Sequence, residues 1–288
     1  MEERPLIVGV DGSEPGMQAL DWAADEAARR GARLRILHAS RWERYEGHAP
    51  SLGLGREGGR QLAEHIVAQA AERARKRAPG VGTSAQVTPS DPVGALVEAS
   101  RDAALIVVGS RGHGTFAGLL LGSVSLPVAA RAEAPTVVVR GHDKNVQGGF
   151  DEIVLGLGDP ERASAPVEFA LREAEQRGAG LLALRAWRCP AHEVPDYPTD
   201  DIGAHRVRAE NELTAALHKA HAAHAGVPLR EAPREGNARD LLVEASALGD
   251  LLVVGARRRR SGVGLQLGPV GHAVLHHSAC PVAVVPHD

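Results

Sequence analysis

The chain has 288 residues with a formal net charge of -3; 43% are hydrophobic, 24% charged and only 3% aromatic. That length, near twice ~150 residues, points to about two domains, and the balance is that of a folded chain rather than a disordered one. Near-neutral charge calls for no nucleic-acid or membrane partner. No window approaches the roughly 18 to 20 apolar residues of a membrane span. The opening MEERPLIVGVDGS lacks the basic start and apolar run of a signal peptide. Two cysteines, Cys189 and Cys280, cannot form a disulfide framework, so a reducing cytoplasm is the simplest location.

In chain order, Leu6 to Val10 is a short apolar strand ending at the turn signal Asp11-Gly12-Ser13. Met17, Leu20, Ala24 and Ala27 follow at helical spacing, and Gly31 closes that helix. Leu34 to Ala39 is the second strand. A long excursion, Arg41 to Gly59, leads to an Ala-rich helix from about Gln61 to Ala78. Val87 marks a third strand, Val93 to Ser100 a helix, and Leu105 to Gly109 a fourth strand. A last helix is expected to begin near Ser123, and Thr136 to Arg140 is the fifth strand. Strands alternating with helices of this length need crossover connections and a parallel sheet. Unbroken Val/Ile/Leu strands fit a sheet covered on both faces.

The pattern then repeats. LVEAS occurs at Leu96 to Ser100 and at Leu242 to Ser246, each followed nine residues after its start by a strand, LIVVG from Leu105 and LLVVG from Leu251. APTVVV from Ala134 matches CPVAVV from Cys280 at the same spacing. RGA at Arg30 to Ala32 recurs at Arg177 to Ala179, one residue further apart than the later pairs, so a single-residue indel lies between. Such self-similarity marks tandem copies. The polar stretch Gly141 to Gly149 reads as the linker, giving domains 1–141 and 150–288, each a doubly wound α/β unit.

The loop after the fourth strand carries the chemistry. Gly109, Gly112, Gly114, Gly118 and Gly122 follow a buried strand, and Ser123 stands where a helix should start. Glycines let amide N–H groups converge on an anion, and a helix N-terminus adds donors and partial positive charge. Asp11, at the end of the first strand, supplies an acceptor suited to a ribose or base. In such sheets ligands bind at this carboxyl edge. A glycine-rich loop can also be no more than a turn, and Asp11 can simply serve the turn at the head of the first helix; the glycine spacing, the serine and the aspartate together favour binding. No G-x-x-x-x-G-K-[ST] is present, which excludes the Walker loop, and the glycine-rich loop follows a late strand rather than the first, which leaves a dinucleotide fingerprint unsupported.

Gly109-x2-Gly112-x9-Gly122-Ser123 resembles the G-x2-G-x9-G-[ST] signature of the ATP-binding branch of the universal stress protein family, and IVGVDGSEPGMQALDWA from Ile7 is similar to that family's opening strand, turn and helix. The likeness runs through both halves, as in the tandem-domain type found in actinobacteria. It implies a Rossmann-like, adenine nucleotide alpha hydrolase-like fold with five parallel strands in the order 3-2-1-4-5. It further implies that Gly9 and Asp11 lie against adenosine and that Ala39 meets adenine through its backbone. Gly109, Ser110, Arg111, Gly112, His113, Gly114 and Thr115 would wrap ribose and phosphates, with Gly122, Ser123 and Val124 closing on the phosphates. The implied cofactor is ATP, accompanied by Mg2+. In the family the fifth strands often pair, so Thr136 to Arg140 and Val282 to Val285 are implicated in an intrachain pseudo-dimer, with a homodimer as a further arrangement.

The second copy departs from this pattern. Arg258 stands where Gly112 stood, Pro269 replaces Ser123, and Gly158 aligns with Asp11, with Asp159 displaced by one. Proline removes both hydroxyl and amide donor, and arginine restricts the backbone that glycine left free. The run Arg257 to Arg260 reads as a solvated basic loop, or alternatively as a side-chain phosphate clamp. His272, His276 and His277, and His218, His221 and His224, have spacings that zinc sites use, but without a placed carboxylate or cysteine they read as exposed histidines. The excursion Trp187 to Gly203 mirrors Arg41 to Gly59. With no lysine after the glycine loop and no general base in view, the expectation is a regulatory nucleotide-binding protein acting with a protein partner, and not an enzyme. A nucleotide-independent scaffold is the alternative.

Overall fold

The computed structural model describes residues 4–40, 56–112, 121–188, 202–258 and 264–288. The chain divides into two compact units, Met1–Val139 and Arg140–Asp288. Most of both long excursions, and His113, Gly114, Thr115, Arg259 and Arg260, lie outside the described residues.

In the first unit, β1 (Leu6–Gly9), α1 (Glu14–Arg30), β2 (Leu34–Ala39), α2 (Arg56–Arg77), β3 (Thr83–Thr88), α3 (Pro92–Ala99), β4 (Leu105–Gly109), α4 (Ser125–Ala129) and β5 (Thr136–Val139) follow in turn. The sheet order is β3-β2-β1-β4-β5 and each pairing is parallel. Leu6, Ile7, Val8, Leu105, Ile106 and Val107 are wholly buried, as unbroken aliphatic strands covered on two faces require. Strand β1 registers Leu6 with Leu34 on one side and with Leu105 on the other, so β1 and β4 end side by side.

Helix α1 has clear boundaries. Ser13 Oγ accepts from the Gly16 amide at 3.2 Å, Pro15 occupies the first turn, and Gly31 at φ +62° closes the other end. Glycine carries that left-handed conformation without Cβ strain. The buried stripe Ala19, Leu20, Ala23, Ala24 and Ala27 faces the core; its small side chains let the helix lie close to the sheet.

The second unit runs α5 (Asp143–Val146), β6 (Glu152–Gly156), α6 (Ser164–Arg177), β7 (Gly180–Trp187), α7 (Ile202–Ala223), β8 (Leu229–Glu235), α8 (Ala238–Ser246), β9 (Leu251–Arg258), β10 (Leu265–Gln266), α9 (Pro269–His277) and β11 (Val282–His287). Its parallel order β8-β7-β6-β9-β11 repeats that of the first, with β10 added antiparallel on β9.

Two expectations change here. The polar stretch 141–149 is not a bare linker: it holds α5 and belongs to the second unit. There Asn145 Nδ2 donates to the carbonyls of Ser246, Ala247 and Gly249. Such a cluster satisfies backbone acceptors at the end of α8. The fourth strand of the second copy also runs past Gly255: Arg257 and Arg258 belong to β9 and pair with Gln266 and Leu265. Side-chain-bearing residues here favour continued extended backbone where the first copy has glycine, so this half of the arginine run is strand rather than loop.

Candidate functional site

Strand β1 leads into a tight turn. The Asp11 Oδ1 atom accepts from the Ser13 amide at 3.0 Å and from Ser13 Oγ at 2.5 Å, while Gly12 turns the chain at φ +86°. Asp11 therefore does serve the turn before α1, leaving the cap itself to Ser13. Its second carboxylate oxygen lies toward Gly112, where an added Cβ would fall on it. Gly112 thus lets the loop after β4 approach the loop after β1.

Gly109 ends β4 under a tighter constraint. A Cβ there would stand 2.5 Å from the Pro15 carbonyl oxygen. The chain then continues through Ser110, whose amide donates to Val139 O at 3.0 Å and whose carbonyl accepts from the Gly122 amide at 2.7 Å. The buried Ser125 hydroxyl donates to Gly109 O at 2.6 Å. These two bonds bring both ends of the glycine loop together. They also place the start of α4 two residues beyond the expected position: α4 begins at Ser125 after Val124, with no side-chain cap, and Ser123 sits exposed in the preceding turn.

A cavity of about 510 Å³ opens at this edge, within the range of roughly 300–1,000 Å³ usual for small-molecule sites. Gly9, Asp11, Ala39, Gly109, Arg111, Gly112, Gly122, Ser123 and Val124 all line it. Ser110 is a backbone link behind the lining, and His113, Gly114 and Thr115 fall outside the described residues. Sequence reasoning missed Leu37, Pro92, Leu96, Val108, Leu121 and Ser125, which also line it. Leu96 was within reach, since it opens the repeated LVEAS; a Cβ on Gly9 would come within 2.9 Å of its Cδ1. Pro92 and Leu96 are delivered by α3, whose start is capped by Asp91 accepting from the Gly94 amide at 3.0 Å. The described lining thus combines an aliphatic wall, one carboxylate, one guanidinium and a stretch of small residues with accessible backbone. Such a lining suits a flat apolar ring, a hydroxyl and an anion together.

The second unit has a cavity of about 200 Å³ in the corresponding place, lined in part by Gly156, Gly158, Asp159, Arg162, Leu242, Gly255, Pro269 and His287. Gly156 meets Leu242 as Gly9 meets Leu96. The differences lie at the mouth. Pro269 is the first residue of α9, which has no side-chain cap. Strand β11 runs on to His287, paired with Arg257, and the His287 ring stands 2.9 Å from where a Cβ of Gly255 would be.

Among the described residues, no three His, Cys, Asp or Glu groups are placed to hold a metal ion. The expected exposure holds for His218, His272 and His277 but not for His221, His276 and His224, which are half-buried. The His224 side chain is 11% exposed and bridges Glu175, at 2.9 Å from Nδ1, and Glu168, at 3.3 Å from Nε2.

Two tandem doubly wound α/β units, each with a cavity where strands one and four end together, define the class. A family model described as the universal stress protein family matches residues 3–140 and again 149–286. The chain belongs to that family. Universal stress protein Rv2005c of Mycobacterium tuberculosis is 31% identical over 293 residues, covering 98% of this chain and 97% of its own. Universal stress protein Rv2623 of the same species is 31% identical over 286 residues, with 97% and 95% covered. The crystal structure of a universal stress protein from Archaeoglobus fulgidus shares the fold, with a TM-score of 0.70 at 20% identity and 99% of both chains covered.

Proposed function

We propose that this protein binds an adenine nucleotide, ATP in the first instance, in the cavity of its first unit, and that occupancy rather than turnover is its mode of action in the stress response. The observation that carries this reading is the cavity of about 510 Å³ at the joint edge of β1 and β4, aliphatic on one side and glycine-lined on the other. In this reading Leu37, Leu96 and Val108 cover the base, with Gly9 and Ala39 offering backbone beside it. Asp11 Oδ2 accepts from a ribose hydroxyl. Arg111 and the backbone from Gly109 to Gly112 and from Gly122 to Val124 face the phosphates, and His113 to Thr115 are assigned there by their place in the same loop. Among the described residues that line the cavity, the one carboxylate is Asp11, already engaged by Ser13. An accompanying Mg2+ would therefore be held chiefly by phosphate oxygens and water, as that ion commonly is. The second unit is assigned no nucleotide: its cavity of about 200 Å³ falls below the usual small-molecule range.

The test is mass spectrometry of small molecules released by heat-denaturing the purified protein, followed by titration of ATP onto the emptied chain. Adenine nucleotide released or taken up supports the reading. A chain that releases none and takes up none is instead a nucleotide-independent scaffold for a protein partner.

A further inference from the structure

The parallel ladder between β1 and β2 ends within the candidate site. The Val10 amide still donates to Leu37 O at 3.0 Å, but the register of β1 with β2 stops at Gly9 opposite Leu37, so the ladder does not continue onto the Val10 carbonyl. The Val10 carbonyl is met instead by a side chain: His38 Nδ1 lies 2.8 Å from it, with the imidazole buried to 7% exposure. A carbonyl oxygen can only accept, so Nδ1 carries the proton and donates. Val10 and Asp11 on one side, and Leu37 and Ala39 on the other, line the cavity. His38 thus ties the two chain segments at the point where their backbones part.

The second unit places another donor on the same carbonyl. Leu157 N donates to Leu184 O at 2.9 Å, as Val10 N does to Leu37 O. The residue after Leu184 is Arg185, in the register of His38. Its Nη1 donates to Leu157 O at 3.3 Å and also to Gly158 O, and its Nη2 pairs with Glu212 at 2.7 Å. Two different side chains therefore supply a donor to one backbone position. The imidazole holds a single carbonyl and leaves the Asp11 position to its own turn. The guanidinium holds two and pins the backbone of Gly158, the counterpart of Asp11.

We propose that His38 is a positioning residue of the first cavity. Through its Nδ1–H it fixes the Val10 carbonyl, and with it the turn that aims the Asp11 carboxylate. This rests on the nucleotide reading of that cavity. An asparagine amide can stand where Nδ1 stood, whereas a glutamine amide, one carbon further out, stands nearer the place of Nε2. The experiment titrates ATP onto the full chain carrying His38→Asn, His38→Gln or His38→Leu, below each variant's melting temperature. The Asn variant should bind within about threefold of the unsubstituted protein and the Gln and Leu variants about tenfold more weakly, since a buried acceptor loses its donor only in the latter two. Asn weakened as much as Leu, or all three equal to the unsubstituted protein, would overturn the proposal. Failure of the unsubstituted protein to bind any adenine nucleotide would instead overturn the proposed function. Amide exchange at Asp11 to Ser13 then still decides the positioning role: it should be slower in the Asn variant than in Gln or Leu, and equal rates in all three would sink it.

Discussion

Gly109 and Gly112 stand three residues apart, and the structure gives them separate reasons to be glycine. A Cβ at Gly109 would press within 2.5 Å of the Pro15 carbonyl, part of the first turn of α1. Backbone cannot step aside cheaply, so Gly109→Ala should cost about 1–3 kcal/mol of stability, read as a lower urea midpoint. Among the described residues, a Cβ at Gly112 would meet the Asp11 side chain, which can rotate away. Gly112→Ala should therefore keep the urea midpoint and weaken ATP binding about tenfold, the equivalent of ~1.4 kcal/mol. Equal stability losses in the two variants would contradict this separation. The glycine spacing was readable from the sequence because glycine has few other uses at a strand end. Ser125 was not: its role depends on the Gly109 carbonyl sixteen residues away, a tertiary bond that no local pattern announces. Ser123, with the better local signal, is exposed in the turn.

At the scale of elements, the repeat preserves hydrogen bonds as well as strands. Ser100 and Ser246, the last residues of the two LVEAS segments, each donate to the carbonyl three residues back at 2.6 Å and accept an amide at 2.9 Å, from Glu133 and Ala279 respectively. Where the copies differ, periodicity alone could not say so: the extension of β9 and β11 depends on pairing between Arg257 and His287. The second unit also joins α6 to the end of α7 through His224. Burial opposes charge on its imidazole, but hydrogen bonds and attraction from Glu175 and Glu168 outweigh that and raise it above its ordinary value of 6.5; Glu168 is itself held low, with Arg172 also on it. A raised folded-state value means the contribution is fully present below the ordinary imidazole value and is lost as pH rises through the raised one. The destabilisation caused by His224→Ala should accordingly be larger at pH 6 than at pH 8.5. The difference should be about 1 kcal/mol or less, because the glutamates are partly exposed. Urea midpoints at the two pH values check this, and an equal destabilisation at both would contradict it.

Across the whole molecule, two copies of one fold present unlike cavities, about 510 Å³ and about 200 Å³. In the sequence the two edges already differ at Gly112 against Arg258, Ser123 against Pro269 and Asp11 against Gly158. The structure adds His287 and Arg185, whose effect depends on β11 and β7 meeting the site edge from distant parts of the chain. Family membership fixes the fold and the tandem plan, while the residues at each edge differ between the copies. The most direct measurement is the stoichiometry of ATP bound to the intact chain by calorimetry, with and without Gly112→Ala. About one nucleotide per chain is expected, with affinity falling in the variant while no second site emerges. Two equivalent sites per chain, or one site indifferent to Gly112→Ala, would contradict the assignment of nucleotide to the first unit.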